Sequence, residues 1–211
     1  MGRGNVINIE KESKLSGPIF DKAVMVISSY LSSTYCNNRP FPLSVTICFE
    51  QSYEGIEGDS ASAAEFIAIL SSIGKIPLRQ DLAITGSVDQ HGNIQPIGGV
   101  NYKIEGFFNI CKEKGLTGTQ GVVIPAQNIR NLMLNEEVIN AVNEGKFHIY
   151  AISNINEGLE LFTGIKAGEL REDGTYPEGT VNRIIDDKLN EYIELNRKFS
   201  KESEKKNEIS N

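Results

Sequence analysis

Histidine and cysteine are both scarce in this 211-residue chain, with two of the first and three of the second. Cys36, Cys48 and Cys111 are widely spaced, form no CxxC pair and have only His91 and His148 to help them, which excludes a disulfide framework and a structural zinc site and predicts a reducing, cytoplasmic setting. No apolar run approaches the roughly 20 residues that span a bilayer, and Met1-Gly2-Arg3-Gly4-Asn5 lacks the charged head and apolar body of a secretory signal. Positive charge is also short, at 21 Lys+Arg against 28 acids and a net charge of −7. A nucleic-acid binder needs a basic surface to displace counterions, so that class is excluded for this domain. With 39 % hydrophobic and 23 % charged residues the chain has ordinary globular usage and enough length for one good-sized domain.

From about residue 5 to 164, strand-like and helix-like segments alternate, the pattern of an α+β (α/β layered) domain. Val6 to Ile9, Leu43 to Phe49, Leu82 to Val88, Gly121 to Pro125 and Phe147 to Ile152 read as strands. Asp21 to Tyr35, Ala61 to Ser72, Asn101 to Lys114, Asn135 to Asn143 and Ile155 to Phe162 read as helices. Their stops are Asn37-Asn38-Arg39-Pro40, Gly74 with Pro77, and Gly115, and Asn101 stands as an N-cap. Residues 1–164 are the expected domain body, and 165–180 a linker or surface loop. A polar helix with a narrow apolar stripe (Ile184, Ile185, Leu189, Tyr192, Ile193, Leu195) follows in 181–211, frayed from Ser200. Such a stripe suits docking on the body or on a neighbouring subunit.

Chemistry concentrates in three places. In Gly58-Asp59-Ser60-Ala61-Ser62 a glycine-rich loop runs into a helix with Ser60 at the junction. There the free N–H groups of Ala61 and its neighbours, together with the positive helix end, would hold a developing oxyanion. Alternatively, Asp59 or Ser60 only caps the helix. The segment is not a G-x-S-x-G elbow, since position 62 is Ser. A nucleophilic serine needs a base, and neither His91, in a turn, nor His148, beside a strand, has a signature tying it to Ser60. A neutral lysine is the other common solution.

Lys103 is the unusual lysine. At 100° per residue it falls within the arc of Ile104, Phe107, Phe108, Ile110 and Cys111, in the first turn of its helix. Desolvation and the helix end both disfavour its ammonium form, so it is a candidate general base. The alternative is snorkelling, with the stem on apolar surface and the charge in water. Thr85 shares a strand face with Ala83 and Ser87 and could hydrogen-bond an amine. Ser72-Ile73-Gly74-Lys75 straddles a helix end without the partner motifs of penicillin-binding enzymes, and Gly74-Lys75-Ile76 lacks the rest of a phosphate loop. Nothing in the chain is arranged to bind ATP.

Together, Gly58 to Ser62, Ala83-Ile84-Thr85-Gly86-Ser87-Val88 and Gln95-Pro96-Ile97-Gly98-Gly99-Val100-Asn101-Tyr102-Lys103 resemble the proteolytic domain of Lon proteases. The serine–lysine and threonine–lysine separations, 43 and 18 residues, match that family's spacing. The likeness continues through Gly121 to Asn128 and reaches the helix ending near Gly164. Asp59, Ser62 and Phe49-Glu50-Gln51-Ser52-Tyr53 resemble the branch with Asp before the serine rather than Gly-Pro-Ser-Ala-Gly; Tyr102 stands where that branch has an acidic residue.

The resemblance implies the ribosomal protein S5 domain 2-like fold and a serine endopeptidase using a Ser60–Lys103 dyad through an acyl-enzyme. Thr85 would orient Lys103, and Asp59 and Ala61 would support the site. It further implies unfolded protein or peptide substrates, hexameric rings, no metal, and no cofactor within this chain. ATP would enter only through an upstream ATPase region not present here, the chain being a fragment of a longer protein or a member without that module. Two other readings are a non-catalytic assembly or substrate-holding domain of the same fold, and a Ser-His esterase.

Overall fold

The computed structural model describes residues 4–36 and 39–209, with side chains as far as Phe199. Asn37 and Asn38, in the expected helix stop, and Met1 to Arg3 lie outside the described residues.

Strand β1 (Asn5–Asn8) pairs in parallel with β2 (Ser44–Ile47). Ile9 does not extend β1 as expected. Asn8 accepts the Lys11 amide at 3.2 Å and so caps a one-turn helix, α1 (Ile9–Glu12). Pro18 opens α2 (Pro18–Tyr35), where its missing N–H costs nothing. Helix α3 (Ser62–Gly74) is apolar nearly all round and is correspondingly enclosed. It stops one residue later than Gly74 predicts, with Lys75 in the left-handed region at φ 52. Gly74 serves packing instead, because a Cβ there would lie 2.8 Å from Ile185 Cδ1.

The expected strand Leu82 to Val88 is broken in two. β3 (Leu82–Ile84) pairs in parallel with β6 (Gly121–Pro125), and β6 with β7 (His148–Ile152). The Thr85 amide still donates to Val123 O at 3.0 Å, but the Gly86 amide turns away to Ser60 O at 2.8 Å. The chain then forms β4 (Ser87–Val88), antiparallel to β5 (Ile94–Gln95). Helix α4 (Val100–Lys114) begins at Gly99, φ 69, and not at an Asn101 cap. The Asn101 side chain instead accepts from Met133 N at 2.9 Å and donates to Asn131 O at 3.1 Å, fastening the 3-10 turn Ala126–Asn131.

Asn135 caps α5 (Glu136–Asn143), Asn154 caps α6 (Ile155–Thr163), and α7 runs Val181–Ile209. The three-stranded sheet is covered on both faces. Val123 and Ile152 face the core of α2, α3, α6 and α7, while Val122 and Ile124 face α4 and α5, as period-two alternation requires.

Residues 165–180 bury Ala167 and Tyr176. Helix α7 packs on the body through Val181, Ile185 and Leu189. Tyr35 Oη donates to Asn182 Oδ1 at 2.6 Å, and Arg39 pairs with Asp186 at 2.5 Å. No helix among the described residues is long and apolar enough to cross a membrane, and Cys36, Cys48 and Cys111 are free thiols.

Candidate active site

Ser60 sits in the turn between Gly58, whose φ of +98 reverses the chain, and α3. Two ties hold the turn against the broken strand. Gly86 N–H donates to Ser60 O, and Ala63 N–H donates to Gly86 O at 3.1 Å. Ser62 is almost wholly buried and adds a third: its hydroxyl donates to Asp59 O at 2.9 Å and accepts the Val88 amide at 2.9 Å. The capping alternative is not taken. Ala61 occupies the N-cap position with no side-chain hydrogen bond, and the Asp59 carboxylate accepts Ser87 Oγ at 2.9 Å instead. Among the described residues no hydrogen bond uses the amides of Ser60 and Ala61, which leaves two backbone donors beside Ser60 without an acceptor.

Lys103 reaches this turn from α4. Its Nζ lies 2.7 Å from Ser60 Oγ and 3.1 Å from Thr85 Oγ1. Thr85, buried, donates to Ser60 O at 3.3 Å. Desolvation pushes the Lys103 pKa down from its ordinary value, while the negative field of Asp59 pushes it back up. The residue as a whole remains exposed, with its amine between the Ser60 and Thr85 hydroxyls. The arc predicted beside it is narrower than expected: Ile104, Phe108 and Cys111 are buried, but Ile110 is 55 % exposed. Tyr102, next in sequence, points into solvent.

The structure thus brings Ser60, Lys103, Thr85, Asp59 and Ala61 into one cluster. The histidines stay outside it. The His91 amide is bound to Asp89 in an exposed turn, and a His148 ring nitrogen contacts Gly118 O at 2.8 Å. Lys75 ends α3 at the far side from Ser60. Sequence reasoning missed the structural parts of Ser62 and Ser87. The signal for Ser87 was there in the alternation Ala83, Thr85, Ser87; Ser62 carried none beyond replacing a glycine. No group of three or more metal-ligating side chains occurs among the described residues.

Residues 21–163 match the family described as the Lon protease (S16) C-terminal proteolytic domain. The chain is 45 % identical over 165 residues to a Lon protease homolog of Escherichia coli (strain K12), covering 78 % of this chain and 28 % of that protein. A Lon protease homolog of Haemophilus influenzae is 41 % identical over 197 residues, 93 % of this chain and 33 % of that protein. An archaeal Lon protease of Archaeoglobus fulgidus is 37 % identical over 139 residues, 66 % of this chain and 20 % of that protein. The chain therefore spans about a third or less of these relatives' lengths.

Proposed function

Since the chain belongs to the Lon protease family, as its C-terminal proteolytic domain, we propose that it hydrolyses peptide bonds with Ser60 as nucleophile and Lys103 as general base. The 2.7 Å approach of Lys103 Nζ to Ser60 Oγ carries this reading. With the amine neutral, one consistent hydrogen-bond arrangement uses all three side chains. Ser60 Oγ–H donates to Lys103 Nζ, a remaining amine N–H donates to Thr85 Oγ1, and Thr85 donates to Ser60 O.

The Ser60 proton passes to Nζ as Oγ bonds to the substrate carbonyl carbon, and the amides of Ser60 and Ala61 take the oxyanion. The C–N bond then breaks, the ammonium gives its proton to the departing amine, and an acyl-enzyme remains. Water repeats the sequence, with Lys103 taking its proton and returning it to Ser60.

Unfolded polypeptide is the substrate we assign, because Ala61 and Ala64, the partly exposed residues following Ser60, offer only small side chains to an approaching main chain. Assembly into six-membered rings is assigned by the family likeness, and any drive by ATP would come from residues other than these; the chain spans a third or less of its relatives' lengths. Cleavage of casein by the wild type, Ser60→Ala and Lys103→Met tests the dyad. Each substitution is expected to remove activity by a factor of at least about 10³. Retention of wild-type rates by Lys103→Met would favour a histidine base, and equal rates in Ser60→Ala would refute the nucleophile.

A further inference from the structure

Two carboxyl groups outside the dyad are buried without the partners that ionised carboxylates require. Glu10 of α1 is 3 % exposed and Glu65 of α3 is 5 % exposed. Among the described residues both oxygens of Glu65 and Oε2 of Glu10 have no hydrogen-bond partner, while Glu10 Oε1 accepts the Phe49 amide at 2.6 Å. Neither side chain is paired with a lysine or arginine among the described residues.

We infer that Glu65 and Glu10 form a proton-operated latch. With Glu65 protonated, the layer β1–α1–β2 seats on α3; with both groups charged, that layer lifts and the Ser60 turn ahead of α3 loosens. Glu65 is thus a positioning residue, and this inference rests on the dyad assignment for its effect on catalysis. A buried carboxylate beside a second one is strongly disfavoured, whereas a neutral carboxyl is tolerated there.

Burial and then the Glu10 charge raise the Glu65 carboxyl to about 7. Of the charged groups on elements packed against α3, Glu10 is the one whose field reaches Glu65. Past the end of β2, the Cys48 thiol meets Glu10; the thiol is raised by desolvation, then by the charges of Glu50 and Glu10. From α2, Asp21 is engaged by Ser16 Oγ at 2.6 Å and by Asn8 Nδ2 at 3.3 Å. Lys11 and Glu12 of α1 are exposed.

The layer also has a direct line to the nucleophile. Leu15 N donates to Glu10 O at 2.7 Å, Ile56 N to Leu15 O at 2.8 Å, and Gly17 N to Ile56 O at 2.8 Å. Ile56 lies in the stretch leading to Ser60, so α1 is stitched to the segment ahead of the nucleophile turn, while β2 of the same layer packs against α3.

Raising the pH removes the proton that the seated state retains and the lifted state has already lost. Seating therefore weakens as pH rises from about 4.5 through about 7. Between about pH 6 and about pH 8.5 that linkage amounts to about a tenfold change in opening. Amide hydrogen exchange on the full chain carrying Ser60→Ala, with and without Glu65→Gln, reads this directly in residues 5–15 and 44–49. Comparison at equal pH cancels the intrinsic pH dependence of exchange.

Opening of the Glu65 form relative to the Glu65→Gln form is expected to grow about tenfold over that interval. An unchanged ratio overturns the latch. Glu10→Gln removes the neighbouring charge, keeps an acceptor for Phe49, and should shrink the change; an undiminished change overturns the pairing. In the enzyme that retains Ser60, the ratio of kcat/KM to that of Glu65→Gln should fall above about pH 7, the ascending limb set by Lys103 being common to both. The two readings fail separately: absence of peptidase activity sinks the dyad, whereas the exchange ratio, measured on the Ser60→Ala chain, alone decides the latch.

Discussion

Replacing Ser62 by alanine isolates the tie between the nucleophile turn and the broken strand. The hydroxyl has two jobs, donating to Asp59 O and accepting the Val88 amide, each at 2.9 Å. Asp59 O keeps the Ser62 amide at 3.1 Å after the change, so it is not orphaned. Among the described residues the Val88 amide has no other partner, and Val88 is 3 % exposed. Leaving a buried donor unsatisfied costs about 1–3 kcal/mol. Ala is at least as good a helix former as Ser, so propensity offsets only a few tenths of this. For a chain of this size each kcal/mol is about 2–4 °C, so a loss of about 2 kcal/mol lowers Tm by about 4–8 °C.

Thermal denaturation followed by circular dichroism reads the shift. Ser33→Ala, which removes an exposed hydroxyl bonded to Tyr30 O, serves as control and should stay within about 0.5 kcal/mol. Because Ser60 lies between Asp59 and the helix start, Ser62→Ala should also lower kcat more than it raises KM. A Tm within about 1 °C of wild type would refute the claim that Ser62 is the sole satisfier of the Val88 amide.

Two further outcomes follow from particular contacts. Asp59→Asn removes the negative field that supports the charged form of Lys103 while keeping an acceptor for Ser87. Since the neutral amine is the base, the ascending limb of kcat/KM should move to lower pH; a move to higher pH, or none, contradicts the electrostatic reading. Tyr35→Phe deletes the buried donor to Asn182 Oδ1, with an expected cost of about 1–2 kcal/mol and faster amide exchange in the first turns of α7. Unchanged exchange there would show that the apolar stripe alone holds the helix.

Local signals were enough where an element is closed by its own residues. β6 keeps the bounds Gly121–Pro125 because its uninterrupted apolar run is buried on both faces, and α5 and α6 start at their own asparagine caps. The same reading failed at Leu82 to Val88 and at Asn101. In each case a distant partner overrode the local pattern: Ser60 O draws Gly86 out of the sheet, and the 3-10 turn takes the Asn101 side chain. Gly74 looks like a helix stop in sequence, yet its lack of a side chain answers to Ile185, far along the chain.

The order and spacing of residues determined the layered fold, the family likeness and the identity of Ser60, Thr85 and Lys103 as the polar residues to watch. Periodicity, caps and turn chemistry are properties of neighbouring residues, and a serine, a lysine and their fixed separation are visible in one dimension. What only the folded chain decided is which groups meet and in what medium. The 2.7 Å approach of an amine to a hydroxyl, the burial of the orphaned Glu65 carboxyl, and the seat of α7 on α3 are distances and desolvation between residues far apart in sequence. Electrostatics and packing act through space, so no local pattern carries them.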